Sequence, residues 1–179
     1  MMRTLSLLRH AKSSWDDPVE TDFDRPLNGR GRRAAVRMGR YLRDEGLAFD
    51  RIIASPALRI RQTIEGLEEG LGGRLQVTFD RRIYMASAVT LFDLVQAESD
   101  ATGRLLLVGH NPGLEDLALI ATPEDDAPLR AEAYKKYPTA TLAEIVFEGA
   151  RWAEAAEGKG RLTRFVRPRD LDPSLGPDD

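Results

Sequence analysis

The sequence predicts an α/β fold: a three-layer sandwich with a mostly parallel central sheet and helices on both faces. Three observations predict it. Short apolar runs of strand character alternate along the chain with amphipathic stretches of helical period. The 179 residues suit one domain with a sizeable core, and no internal repeat or linker interrupts them. The composition, 42% hydrophobic and 31% charged, is that of an ordinary globular protein.

The elements follow in order. Residues 4–8 (ThrLeuSerLeuLeu) read as a short buried strand. Polar, aromatic and turn residues continue through Pro26. Asn28 can cap a helix running to about Glu45, with Ala35, Met38, Tyr41 and Leu42 on one face and Gly46 ending it. Residues 51–55 (ArgIleIleAlaSer) form a second strand. The next helix starts near Ala57, carries Ile60, Ile64, Leu67 and Leu71, and closes at Gly72 and Gly73. Residues 76–79 are a candidate third strand, and 88–97 a helix with Leu91, Leu94 and Val95. The strongest strand is 105–108 (LeuLeuLeuVal). Asn111 and Pro112 make an N-cap and N1 pair for a helix through Leu114, Leu117, Ala118 and Ala121. Two later strands, 141–147 and 162–167, are joined by a Glu/Gly-rich stretch suited to a hairpin connection. Residues 1–167 thus read as a single domain. From Pro168 to Asp179 the chain is rich in Pro and Asp without periodicity, which predicts a mobile tail.

Composition narrows the function. A net charge of −3 argues against a general nucleic-acid binder. No apolar run approaches the roughly 20 residues needed to span a bilayer, and the N-terminus does not read as a secretory signal. The absence of cysteine excludes disulfides, thiolate catalysis and zinc–thiolate sites, and fits a cytoplasmic location. Arginine is concentrated in residues 29–40, read as a solvated helix face or as a rim that attracts anions.

In an open α/β sheet, ligands sit beyond the carboxyl ends of the strands. Arg9 and His10 directly follow the first strand, Ser55 ends the second, Arg59 lies one turn beyond it, and His110 follows the strongest strand. Both histidines of the chain therefore fall at strand ends. These residue types suit phosphoryl transfer. Guanidinium groups grip phosphoryl oxygens with paired, directional hydrogen bonds, and nearby arginines help keep an imidazole neutral and nucleophilic. Two histidines 100 positions apart without clustered carboxylates make a poor metal site, and the turn after the first strand lacks the glycine pattern of a nucleotide-binding loop. Neither a metal nor a cofactor is expected.

Three blocks then carry a resemblance. Residues 7–12 (LeuLeuArgHisAlaLys) resemble the Arg-His-Gly signature of the histidine phosphatase superfamily, which includes the phosphoglycerate mutases. Residues 55–63 (SerProAlaLeuArgIleArgGlnThr) resemble its second arginine block, and 108–113 (ValGlyHisAsnProGly) its second histidine block. In size and detail the chain is most similar to the SixA-like phosphohistidine phosphatases. The resemblance implies a phosphoglycerate mutase-like fold, His10 as the residue phosphorylated in the cycle, and Arg9, Arg59 and His110 as the phosphate pocket. Arg59 is preferred to Arg61 because it stands four residues before Thr63, as the family arginine does. On a helix Arg61 points about 200° away. Lys12, Ser13, Ser14 and Trp15 are further candidates for the pocket lining. Ser55 is read chiefly as a helix cap, Asn111 as a cap beside the substrate site, and Thr139 as a possible contact from the segment 136–140.

Two departures from the family pattern stand out. Ala11 replaces the signature glycine, where a positive φ would be strained. Residues 81–87, where mutases and acid phosphatases of the family carry a general acid, hold no carboxylate; Asp80 and Asp93 do not fit the motif, which leaves a substrate group, Asp16 or Asp17 as substitutes. A missing acid suits a good leaving group such as the imidazole of phosphohistidine, because protonating a poor one is worth about 10²–10⁴-fold. The sequence therefore points to a phosphohydrolase with a histidine nucleophile acting on a phosphohistidine-bearing protein. The runner-up is a small-molecule phosphomonoesterase, followed by a non-catalytic phosphate-binding module.

Overall fold

A computed structural model describes residues 1–125 and 127–177. Strand β1 (Met2–Arg9) is followed by α1 (Gly29–Asp44), β2 (Arg51–Ala54), α2 (Leu58–Leu71), β3 (Thr78–Phe79), α3 (Ala88–Gln96), β4 (Arg104–Gly109), α4 (Gly113–Ala121), α5 (Pro128–Lys135), β5 (Leu142–Glu148), β6 (Arg161–Val166) and α6 (Pro168–Leu171). Among the described residues, the strands form one sheet in the order β3-β2-β4-β1-β5-β6. The pairs β1–β4, β2–β4 and β2–β3 are parallel. β5 runs against both β1 and β6, so it alone opposes the common direction. The antiparallel pair is the expected hairpin, joined through a 3₁₀ turn at Trp152–Glu154.

Strand alternation sends side chains to two separate cores. Leu5, Leu7, Ile53, Leu105, Leu107, Ile145 and Phe147 pack with residues of α3, α4 and α5 on one face. Leu8, Ile52, Ala54, Leu106 and Val108 pack with α1 and α2 on the other. The three-layer sandwich is therefore built from period-2 strands buried on both sides, as parallel strands must be.

The caps explain the helix limits. Asn28 Oδ1 accepts the Gly31 amide at 2.8 Å, and Gly46 and Gly72, both at positive φ, follow α1 and α2 as the sequence predicts. Helix α4 departs from expectation: it begins at Gly113, not at Pro112, and Asn111 serves it from outside by accepting the Glu115 amide at 3.2 Å. Helix α5, with only Ala133 buried, was not legible in the sequence. The segment after Pro168, expected to be a tail, packs against the domain through Pro177. Asp170 pairs with Arg167, and Leu175 is buried in a small cluster with Ala11, Leu27, Ala34, Ala35 and Ala140. Residues 178 and 179 lie outside the described residues.

Helices α1 and α2 approach backbone to backbone. A Cβ on Gly70 would lie 2.0 Å from the Val36 carbonyl oxygen. Gly70→Ala is therefore expected to destabilise the fold by about 1–3 kcal/mol or more. Gly73→Ala, which meets nothing within 4 Å, should change the urea midpoint little.

Candidate active site

Sheet register assembles the site. Arg9 pairs with Gly109 and Ala54 with Val108, so three strands end side by side. The next residues, His10, Ser55 and His110, leave the sheet together. The His10 amide donates to Gly109 O and the Ser55 amide to Val108 O, both at 3.1 Å. Arg59, on the first turn of α2, reaches back between them.

The result is a cavity of about 330 Å³ lined by Arg9, His10, Lys12, Ser13, Trp15, Asp22, Arg25, Arg59, Met85, His110, Asn111 and Thr139. All seven residues singled out from the sequence as catalytic or substrate-binding are there, with Trp15 and Thr139. Ser14 is buried beside it and donates its amide to Pro26 O. Arg61 is exposed, stacked over Phe79, and outside the lining. A larger groove of 460 Å³ runs along α1 and carries Arg32, Arg33, Arg37 and Arg40 facing Asp172. The arginine-rich stretch thus lines a separate surface.

Hydrogen bonds fix both imidazole rings. His10 Nδ1 lies 2.7 Å from Ala11 O. A carbonyl only accepts, so Nδ1 carries the proton and Nε2 keeps its lone pair. His110 Nδ1 lies 3.3 Å from Arg59 Nη2, a group that only donates, so its proton sits on Nε2, 2.8 Å from Ser55 Oγ. Burial depresses both pKa values. His10 is held well below 6.5 by desolvation and then by Arg9, against the opposing Ala11 hydrogen bond. Desolvation and then Arg59 push His110 down to about 3. The arginines thus keep the rings neutral, as the sequence suggests, with desolvation the larger cause.

The loop carrying His10 is clamped from several sides. Thr63 Oγ1 donates to Arg59 O at 2.7 Å and accepts the Ala11 amide at 3.0 Å, tying the two sequence blocks together. Helix α1 presses on the loop so closely that a Cβ on Gly31 would lie 2.1 Å from Lys12 O. Ala11 is fully buried and is not among the residues at positive φ, so its methyl group is accommodated. On the far side, Tyr137 O accepts from Arg9 Nη1 and from Asn111 Nδ2, each at 3.0 Å. Both ends of the Asn111 carboxamide are thereby engaged by protein.

Sequence reasoning missed Asp22, Arg25 and Tyr84. Asp22 sits on a 3₁₀ turn at Asp22–Asp24 and lines the cavity, where Asp16 and Asp17 do not. Its backbone oxygen accepts from Arg59 Nη1 at 2.8 Å. Its Oδ2 accepts from Arg59 Nη2 at 3.0 Å and from Tyr84 Oη at 2.8 Å, and its Oδ1 accepts from Arg25. Arg25 also donates to Ser13 Oγ. Asp22 has no helical or strand periodicity around it; its spacing of three residues from Arg25 was the only local signal. Asp80 is turned away and paired with Arg82 at 2.7 Å.

Comparison with known proteins agrees with this geometry. Residues 5–84 match the histidine phosphatase superfamily (branch 1). The chain is 33% identical over 164 residues to the uncharacterized protein Rv1276c of Mycobacterium tuberculosis, covering 90% of this chain and 100% of that one. Two solved structures assigned provisionally as the phosphohistidine phosphatase SixA are similar. That of Nakamurella multipartitia superposes with a TM-score of 0.81 at 27% identity over 94% of this chain and 97% of the other. That of Agrobacterium tumefaciens gives 0.74 at 30% identity over 93% and 98%.

Two expectations follow. Thr63→Val leaves the buried Ala11 amide unsatisfied and should lower stability by about 1–3 kcal/mol in urea denaturation. Both histidines are depressed on folding from an ordinary value of 6.5. Their contribution is therefore complete above pH 6.5 and is lost as pH falls from there toward about 3, where His110 takes up its proton. Urea midpoints should decline across that window, and less steeply in a His10→Gln, His110→Gln variant.

Proposed function

The chain belongs to the histidine phosphatase superfamily, in its SixA-like branch, and from that premise we propose that it hydrolyses phosphohistidine on a protein through a phosphorylated His10. The observation that carries the reading is the state of His10: neutral, with Nδ1 donating to Ala11 O and the lone pair on Nε2, beside two guanidinium groups. In the first step Nε2 attacks phosphorus in line as the bond to the leaving group breaks. In the second, water attacks phospho-His10 and releases phosphate.

Arg9 and Arg59 carry the oxygens through both steps, where electrostatic stabilisation is the main contribution. Arg59 Nε is buried with no hydrogen-bond partner, which leaves a donor in reserve. His110 stays seated against Arg59 Nη2 and Ser55 Oγ, so the guanidinium keeps its orientation as a phosphoryl oxygen approaches. The rim supports a macromolecular substrate: Trp15 is 75% exposed and Met85 52%, and both line the cavity. Apolar side chains at a mouth this open suit the face of a protein better than a polyhydroxylated metabolite.

Rapid quenching of the wild type with a phosphohistidine-bearing protein should trap an acid-labile phosphoenzyme that is absent in His10→Ala. Turnover surviving in His10→Ala would remove the nucleophile assignment. Arg59→Ala should lower kcat/KM by about 10²–10³-fold. Faster cleavage of sugar or glycerate phosphates than of phosphohistidine would instead favour a small-molecule phosphomonoesterase.

A further inference from the structure

The geometry points to Asp22 as the residue that receives the leaving group, binding the distal N–H of a phosphorylated imidazole and so selecting P–N over P–O bonds. The inference rests on the phosphohistidine reading and deepens it.

Asp22 supplies the carboxylate of the cavity lining. It stands where an anion belongs, with Oδ2 3.0 Å from Arg59 Nη2. That same nitrogen lies 3.3 Å from His110 Nδ1. A phosphoryl oxygen that takes Nη2 must displace one of the two. His110 is buried and pinned through Ser55, whereas the Asp22 side chain is 44% exposed and sits on a short turn. Asp22 therefore yields, but does not leave: Tyr84 Oη still donates to Oδ2, and Arg25 Nη2 still holds Oδ1, each at 2.8 Å. The exchange frees one lone pair of Oδ2 at the cavity mouth. His10, only 7% exposed, lies at the floor. In-line displacement puts the leaving group on the side of phosphorus away from His10, toward that mouth and that oxygen.

Charge decides what the oxygen can do. Burial raises the Asp22 pKa, but hydrogen bonds from Arg25, Tyr84 and Arg59 outweigh it and hold the carboxyl well below its usual range. An ionised carboxylate cannot protonate an alkoxide; it can accept from a cation. A phosphorylated imidazole protonated on its distal nitrogen is such a cation. As the His10 Nε2–P bond forms, the P–N bond breaks, and its electron pair returns to the ring nitrogen. The ring departs as neutral imidazole, with the distal proton still shared with Asp22. No proton is needed from the protein, which accounts for residues 81–87 lacking an acid. An alkyl phosphate offers no N–H, and its developing alkoxide faces a negative charge.

The test compares kcat/KM for 1-phosphoimidazole and p-nitrophenyl phosphate, from pH 6 to 9, in wild type, Asp22→Asn and Asp22→Glu. The ratio of the two is independent of how much of each preparation is folded. In Asp22→Asn the ratio should fall by about 10–100-fold, the worth of one hydrogen bond to a charged group. The alkaline limb of kcat for phosphoimidazole, which reports the bound ring, should also move to lower pH, because less holds the ring proton. Asp22→Glu should recover part of both. The groups facing Asp22 are Arg25, Arg59 and Tyr84, with His110 across Arg59. Tyr84 is raised and His110 lowered, so neither moves the limb. An equal fall for both substrates, or an unshifted limb, would overturn the inference and leave Asp22 as a support for Arg59. A wild type that cleaves the aryl phosphate but neither phosphoimidazole nor phosphohistidine would defeat the phosphohistidine reading itself, and the inference with it.

Discussion

A guanidinium buried to 2% exposure, as Arg59 is, has to be surrounded by acceptors, and the site is organised by that requirement. Its Nη1 finds the Asp22 backbone oxygen, and its Nη2 finds Asp22 Oδ2 and His110 Nδ1. The backbone at Arg59 is in turn held by Thr63, which passes the constraint to Ala11 and hence to the loop of His10. Ser55 takes the remaining ring nitrogen of His110. One buried cation thus fixes the tautomer of one histidine and the mounting of the other.

Arg59 also adds to the electrostatics, after burial for His110 and after burial and Arg9 for His10. Desolvation and positive neighbours keep both rings neutral, so the site concentrates its positive charge on guanidinium groups and leaves His10 Nε2 with its lone pair. A carboxylate balances that charge until substrate arrives. A phosphoryl dianion brings more charge than Asp22 and a geometry better matched to two guanidinium forks, so it can replace the internal anion without stripping Arg59 of a partner at any stage.

Much of this was legible in the chain because strand ends are local. The runs at 4–8, 51–55 and 105–108 identify themselves by composition, and a parallel sheet must bring their carboxyl ends to one edge. Arg9, His10, Ser55 and His110 could therefore be grouped before any register was known. Arg59 was preferred to Arg61 through the family resemblance, because it stands four residues before Thr63. What failed to show was set by tertiary contacts. Residues 11–28 have no periodicity, yet they are pinned by Ser13 bridging to Leu27 and by the Asn28 amide on Lys12 O. That excursion brings Asp22 over the cavity from a position no pattern singles out. The segment beyond Pro168 was misleading for the opposite reason: its composition suggests a tail, while one buried leucine, Leu175, anchors it beneath Ala11.

Residues 81–87 hold no carboxylate, and the side chains that stand there have another use. In residues 81–87 the position near the site is filled by Met85, 3.9 Å from Arg59 Nη2, and by Tyr84, whose ring meets His110 edge-on at 5.3 Å. These are poor proton donors to a leaving group, but they do a different task. Tyr84 donates its hydroxyl to Asp22 and packs its ring against Phe23 at 5.2 Å, so it fixes the turn that carries the carboxylate. The segment that would otherwise carry an acid here supports a base. That inversion matters chemically, because an acid serves oxygen leaving groups and an acceptor serves cationic nitrogen ones. On the proposed reading, the fold keeps its histidines and its arginines, and its preferred bond follows from which element faces the departing atom.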